Sequence, residues 1–208
     1  MRLSHVPVLL VLAASLAACN RAEQTMDAGV DAASDAIGAM EPDTGPAGAA
    51  EAIPPSGDAR MDGYAGLDFG MTPEEAVEAW SGNPLQPAGP VDDPMACHHL
   101  GPAGQDAPAQ LAFMFEDGLF VRYSVESPEI TAPGGGRVGM ERAALEGLYG
   151  GRLAAAPHKY VEGGRVLMSP ADKGVLPTRL YFELDPDGRV TSWRVGMDPQ
   201  VGYVEGCG

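Results

Sequence analysis

Asp92, Asp93, Cys97, His98 and His99 fall close together in the chain, and carboxylate, thiolate and imidazole are the side chains that hold zinc. Adjacent residues of a strand point to opposite faces, so His98 and His99 are not placed to share one ion, and no metal or other cofactor is expected. Nucleophilic catalysis needs a serine or cysteine beside a histidine base. Beyond the first 20 residues the histidines are His98, His99 and His158, and Ser81, Ser124, Ser127, Ser169 and Ser192 sit in no nucleophile-elbow motif. Gly134-Gly135-Gly136 and Gly163-Gly164 lack the lysine and helix context of a phosphate loop; they read as an inter-repeat linker and a hairpin turn. Carboxylates are too abundant for any pair to mark a glycosidase. No catalytic residue is assigned, and the chain reads as a non-enzyme.

The 208 residues carry a net charge of −16, with two basic and eight acidic residues over 20–60. Nucleic-acid binding needs clustered lysine and arginine to neutralise phosphates, and basic residues spread through so acidic a chain exclude that class. The same charge opposes docking of the folded surface on anionic lipid.

The chain opens with Arg2, runs through the apolar stretch Val6 to Ala18, and then presents Leu16-Ala17-Ala18-Cys19. The run is too short to span a bilayer, which takes about 20 apolar residues, and has the length of a signal-peptide core. Leu16-Ala17-Ala18-Cys19 resembles the lipobox of bacterial lipoproteins. The resemblance implies removal of residues 1–18, acylation of Cys19, and, with Asn20 rather than aspartate following, an outer-membrane location facing the periplasm or the exterior. Two or more acyl chains hold a protein stably at a membrane.

With Cys19 assigned to lipid, Cys97 and Cys207 remain in a chain exported to an oxidising compartment, where a disulfide is the expected outcome and two free thiols the alternative. Closing that loop would remove denatured-state entropy worth at most ~4–5 kcal/mol.

From Asn20 to Arg60 there is no aromatic residue, and alanine, glycine, aspartate and proline dominate. Residues 19–62 read as a disordered tether, whose coil dimension is on the order of 35 Å. Beyond it the sequence repeats itself. Gly70-Met71, Trp80 and Gly82 return as Gly139-Met140, Tyr149 and Gly151. Asp117-Gly118, Tyr123 and Val125 return as Asp187-Gly188, Trp193 and Val195, and Pro128 and Ile130 answer Pro199 and Val201. The expected organisation is two α+β repeats, 63–133 and 134–208, each a short helix or helix pair on an antiparallel sheet.

In the first copy Thr72, Pro73 and Glu75 spell a capping box, with Ala76, Val77 and Trp80 as the apolar helix face and Gly82-Asn83-Pro84 as the stop. In the second, Met140 and Leu145 can staple the helix start, where Glu141 is a poorer cap. Leu111, Phe113 and Phe115 alternate before Asp117-Gly118, a type I′ hairpin turn. Leu180, Phe182 and Leu184 do the same before Asp185-Pro186-Asp187-Gly188. A further hairpin is expected at Glu162-Gly163-Gly164-Arg165, between Tyr160 and Val166.

Gly70-Met71-Thr72-Pro73-Glu74-Glu75-Ala76 followed by Gly82-Asn83-Pro84 resembles the opening motif of the small lipoprotein of the outer-membrane β-barrel assembly machinery. The tandem arrangement resembles beta-lactamase inhibitor protein. Both resemblances imply helices packed on an antiparallel sheet, but the assembly lipoprotein has one copy, and the inhibitor is secreted without lipid and carries its disulfides within each repeat. The ending Tyr203-Val204-Glu205-Gly206-Cys207 is similar to that of envelope proteins described as lectin-like.

Trp80, Tyr149, Tyr123 and Trp193 recur at matching places and are expected in the core. Tyr64, Tyr160 and Tyr203 flank turns and are the candidates for a binding surface. These features together describe a lipid-anchored, non-enzymatic binding or scaffolding protein whose partner is an envelope protein or a glycan. The alternatives are a carbohydrate-binding module, a protease or beta-lactamase inhibitor, and an envelope hydrolase.

Overall fold

The computed structural model describes Ile53, residues 56–105 and residues 110–207. The expected signal peptide, Cys19 and most of the expected tether lie outside the described residues.

The described chain begins with a small antiparallel sheet of β1 (Ala59–Arg60), β2 (Gly63–Tyr64) and β3 (Leu67–Asp68), followed by helix α1 (Pro73–Ala79). Four strands come next: β4 (Leu85–Pro87), β5 (His98–Pro102), β6 (Leu111–Glu116) and β7 (Leu119–Val125). Helix α2 (Arg142–Leu148) then precedes β8 (Ala154–Pro157), β9 (Arg165–Met168), β10 (Thr178–Leu184) and β11 (Val190–Met197). These eight strands form one sheet in the order β4-β5-β6-β7-β11-β10-β9-β8, antiparallel at every pairing. The fold is therefore mixed α and β, mainly antiparallel sheet. The two sheets expected from the sequence are one, fused where Val125 faces Trp193 and Tyr123 faces Val195.

Local chemistry explains the helix starts. Thr72 N–H donates to Glu75 Oε2 at 2.8 Å, and Glu75 N–H donates to Thr72 Oγ1 at 3.3 Å, the reciprocal box that satisfies orphan amides of the first turn. Pro73 occupies the first helical position, where a missing N–H costs nothing. Ala76 is buried and Trp80 partly so, but Val77 is 52% exposed; a helix of two turns has too narrow a contact for a third apolar position. At α2 the side chain of Glu141 makes no cap and instead pairs with Arg189 at 2.9 Å. Leu145 is buried, and Met140 packs against the same core.

The β6–β7 turn has Asp117 at φ 53° and Gly118 at φ 73°, the two left-handed residues that a type I′ turn requires. In the β10–β11 turn, Asp185 accepts from Gly188 N–H through its carbonyl and from Arg189 N–H through its carboxylate. The third hairpin joins β8 to β9, but its first strand ends at Pro157, before Tyr160.

Alternation along the strands gives the large sheet two faces. One carries Phe113, Phe115, Tyr123, Val125, Phe182, Trp193 and Val195 into a single core with the helices and the small sheet. Trp193 and Tyr123 meet edge to face at 5.8 Å across the fused strands. The other face carries Met114, Arg122 and Arg194, all buried.

Two expectations about order change. The expected tether runs to residue 62, whereas Ala59 is fully buried in β1 and pairs with Tyr64, because one apolar residue beside the Gly63 turn is enough to add a strand. Gly134-Gly135-Gly136, expected as a linker, lies between β7 and α2 as a packed turn. Tyr149 OH donates to Pro133 O at 2.5 Å and accepts from Gly136 N–H at 3.1 Å. A Cβ on Gly136 would lie 2.6 Å from Phe182 Cζ.

Candidate binding surfaces

The small sheet is fastened to the large one by two hydrogen bonds to its backbone, one buried and one partly buried. Tyr123 OH donates to Arg60 O at 2.7 Å, and Thr178 Oγ1–H donates to Met61 O at 2.6 Å. This places Met61 opposite the segment between β9 and β10, and between them lies a cleft of about 390 Å³. Its apolar wall is Met61, Tyr149, Leu153 and Pro170, with Asp172 and Lys173 at the edge. A second depression of about 750 Å³ shares Ile53, Met61, Asp172 and Gly174 with it and continues past Asp62, Asp68 and Phe69 to Val175 and Leu176. Val175 is fully exposed and Leu176 is 39% exposed. Small-molecule and side-chain sites are typically clefts of about 300–1,000 Å³, mainly apolar, with a few polar groups.

Charge on this surface is organised by Arg60, which reaches Asp62 at 2.9 Å and Asp68 at 2.6 Å. Burial lowers the guanidinium's proton affinity, but the two carboxylates outweigh it and hold Arg60 above its ordinary value. Ser169, in the cleft wall, is buried; its Oγ accepts from Leu180 N–H at 2.9 Å and donates to Pro170 O at 2.8 Å. A hydroxyl so engaged braces the loop and is not positioned as a nucleophile.

Two of the three described histidines are likewise engaged. His98 stacks on Phe115 with 14° between planes, and its Nδ1 lies 2.9 Å from Ala96 O. His99 lies on the opposite face, beside Gly206. His158 Nδ1 accepts from the N–H groups of Tyr160 and Val161, both at 3.1 Å, so its proton is on Nε2, 3.4 Å from Glu183 Oε2. Among the described residues no three His, Cys, Asp or Glu side chains converge as a metal site.

Cys97 and Cys207 are joined, with Cα atoms 5.3 Å apart. The bond ties the residue before β5 to a C-terminal strap that crosses the back of the sheet through the 3₁₀ turn Gln200–Gly202. Val201 is fully buried there, whereas Ile130, expected to answer it in the first repeat, packs against the main core. Beneath the strap, Arg122 Nη1 donates to Gln200 O at 3.0 Å and Tyr203 O at 2.6 Å, and Arg194 donates to Val201 O at 2.5 Å and to Glu183. Burial raises the Glu183 carboxyl, but Arg194 and His158 outweigh it and keep it below its ordinary range. The burial of these arginines has one trace in the sequence. Arg122-Tyr123-Ser124 and Ser192-Trp193-Arg194 are mirror-ordered, and antiparallel pairing sets Arg194 opposite Ser124.

Of the three tyrosines proposed for binding, two come together. Tyr160 and Tyr203 line a shallow groove of about 200 Å³ with Lys159 and Glu205, and Tyr160 is 54% exposed with the Lys159 ammonium 4.8 Å from its ring centre. Tyr64 does not belong to a surface. It is buried among Tyr123 at 5.3 Å, Phe113 at 5.7 Å and Trp80 at 6.3 Å, because pairing with Ala59 turns it inward. Burial, followed by Asp58, pushes its hydroxyl up to about 12.

No protein-family model, curated protein or solved structure matches the chain. The resemblances to the assembly lipoprotein and to the inhibitor protein therefore rest on the motif residues alone.

Proposed function

We propose that the protein is a lipid-anchored, non-enzymatic binding module of the bacterial envelope, which recognises a partner protein through the cleft between the small sheet and the β9–β10 segment. The observation that carries this reading is an apolar cleft continuous with a more polar depression in which Val175 and Leu176 are exposed side by side. Apolar side chains offered to solvent beside a cavity cost solubility and serve as anchors for a partner. The engagement of Ser169, His98 and His158 in other bonds supports a binding role over hydrolysis. Acylation of Cys19 is part of the proposal, and Cys19→Ser should move the protein from the membrane to the soluble fraction. The succession of helix and four strands, twice along the chain, supports a tandem duplication as the origin of the domain.

The test compares the lipidated chain with a Val175→Asp, Leu176→Asp variant in pull-downs from envelope extract. A partner retained by the first and lost by the second, at unchanged melting temperature, supports the cleft; equal capture by both overturns it. A second reading, glycan binding, is favoured by the groove that Tyr160 and Tyr203 share, since aromatic faces beside a lysine and a carboxylate suit sugar rings. Glycan-array binding that Tyr160→Ala and Tyr203→Ala abolish would select it.

A further inference from the structure

We propose that residues 203–207 form a lid over an anion site made by Arg122 and His99, held shut by the Cys97–Cys207 disulfide and opened by a dithiol reductant. The site follows from register on the back face of the large sheet. His99 pairs with Met114, Met114 with Arg122, and Arg122 with Gly196, so the imidazole and the guanidinium stand in one cross-strand row. Gly206 closes over both. A Cβ on it would lie 3.0 Å from His99 Cε1 and 3.6 Å from Arg122 Nη2.

The charge beneath the lid is unbalanced. Arg122 and Arg194 are both buried, and Glu183 is held by Arg194 at 2.5 Å. Arg122 bonds to Ser124 Oγ and to the carbonyls of Gln200 and Tyr203, none of which carries charge. Burial and then the neighbouring Arg194 lower its guanidinium to about 10, and Glu183, which is bonded to Arg194, offsets this only in part. His99 is held down to about 4 by burial, then by Arg122 and His98. With the lid lifted, an oxyanion such as a phosphate or carboxylate would replace the Tyr203 carbonyl on Arg122 and favour the protonated imidazole.

The strap is anchored unequally on either side of Gly202. Upstream, Val201 is fully buried and its carbonyl, with that of Gln200, is bonded to the two arginines. Downstream, the tip is held through Tyr203 O, a long 3.5 Å contact from Gly206 N–H to the same carbonyl, and the disulfide. Both cysteines are partly exposed, within reach of a thiolate. In the exchange, one thiolate of the reductant attacks a sulfur, a mixed disulfide forms, and the second thiol resolves it. Cys97 and Cys207 gain two electrons and two protons, and the reductant becomes a disulfide.

The experiment is ¹⁵N relaxation and phosphate titration of the mature full chain, oxidised, reduced, and as Cys207→Ser. The expected result is that order parameters of residues 204–207 fall from about 0.85 to below about 0.6 on reduction, while amide shifts of β7 and β11 persist. Inorganic phosphate should then saturably shift the Arg122 Nε–H and His99 ring signals in the reduced and Cys207→Ser chains, but not in the oxidised one. A tip that stays rigid after reduction, loss of the β7 and β11 shifts, or phosphate that moves neither signal in Cys207→Ser would each overturn the proposal.

Discussion

Thr178→Val tests the joint that forms the cleft. Thr178 is 1% exposed, and its hydroxyl donates to Met61 O at 2.6 Å, so valine keeps the shape and removes the donor. The carbonyl of Met61 would then be buried without this bond, at a cost of about 1–3 kcal/mol. For a domain of this size each kcal/mol moves the melting temperature by about 2–4 °C, which gives a fall of roughly 2–12 °C. Urea unfolding should show a lower midpoint at unchanged slope, with faster amide exchange over residues 59–64 than in the parent. Because Met61 lines both parts of the cleft, partner capture should weaken in parallel. A loss below about 0.5 kcal/mol, the scale of ordinary surface substitutions, with exchange over 59–64 unchanged, would refute the argument that this bond fastens the small sheet.

Gly136→Ala should cost about 1–3 kcal/mol by overpacking, since its Cβ would meet Phe182 Cζ at 2.6 Å and Leu145 Cδ1 at 2.8 Å; thermal unfolding reads the loss. Acid should destabilise the oxidised protein through His99. Its folded value of about 4 lies below the ordinary 6.5, so its contribution is full above pH 6.5 and is lost as pH falls through about 4, a window that denaturation at a series of pH values resolves and that His99→Gln should flatten. Tyr64 acts at the other extreme: with its hydroxyl raised from 10.0 to about 12, its contribution is full below pH 10 and is lost as pH rises through about 12, and absorbance titration should show a delayed ionisation.

What could be read from the chain was what neighbours in sequence decide. Thr72, Pro73 and Glu75 make their box within one turn, Asp117-Gly118 sets a turn by backbone preference alone, and with Cys19 assigned to lipid, two cysteines left one pairing. What escaped depends on partners far along the chain. Tyr64 looks like a turn tyrosine until Ala59 pairs with it and Tyr123 and Phe113 receive its ring. One sheet rather than two depends on the β7–β11 register, which no local pattern specifies. The cleft needs Met61 and Pro170 brought together from opposite ends of the domain, and Arg122 beneath the strap needs carbonyls about 80 residues away, as its bonds to Gln200 and Tyr203 span 78 and 81 positions. Of the candidate binding residues, Tyr160 and Tyr203 share a groove because the strap returns past the β8–β9 loop, a proximity created by the fold.

The central claim, that an envelope partner occupies the cleft, is tested most directly by photo-crosslinking in living cells from a benzophenone side chain at position 175, with position 161, also exposed, as the control. The account predicts a discrete adduct with another envelope protein from position 175 and none from position 161. Absence of an adduct at 175, or the same adducts from both positions, would contradict it.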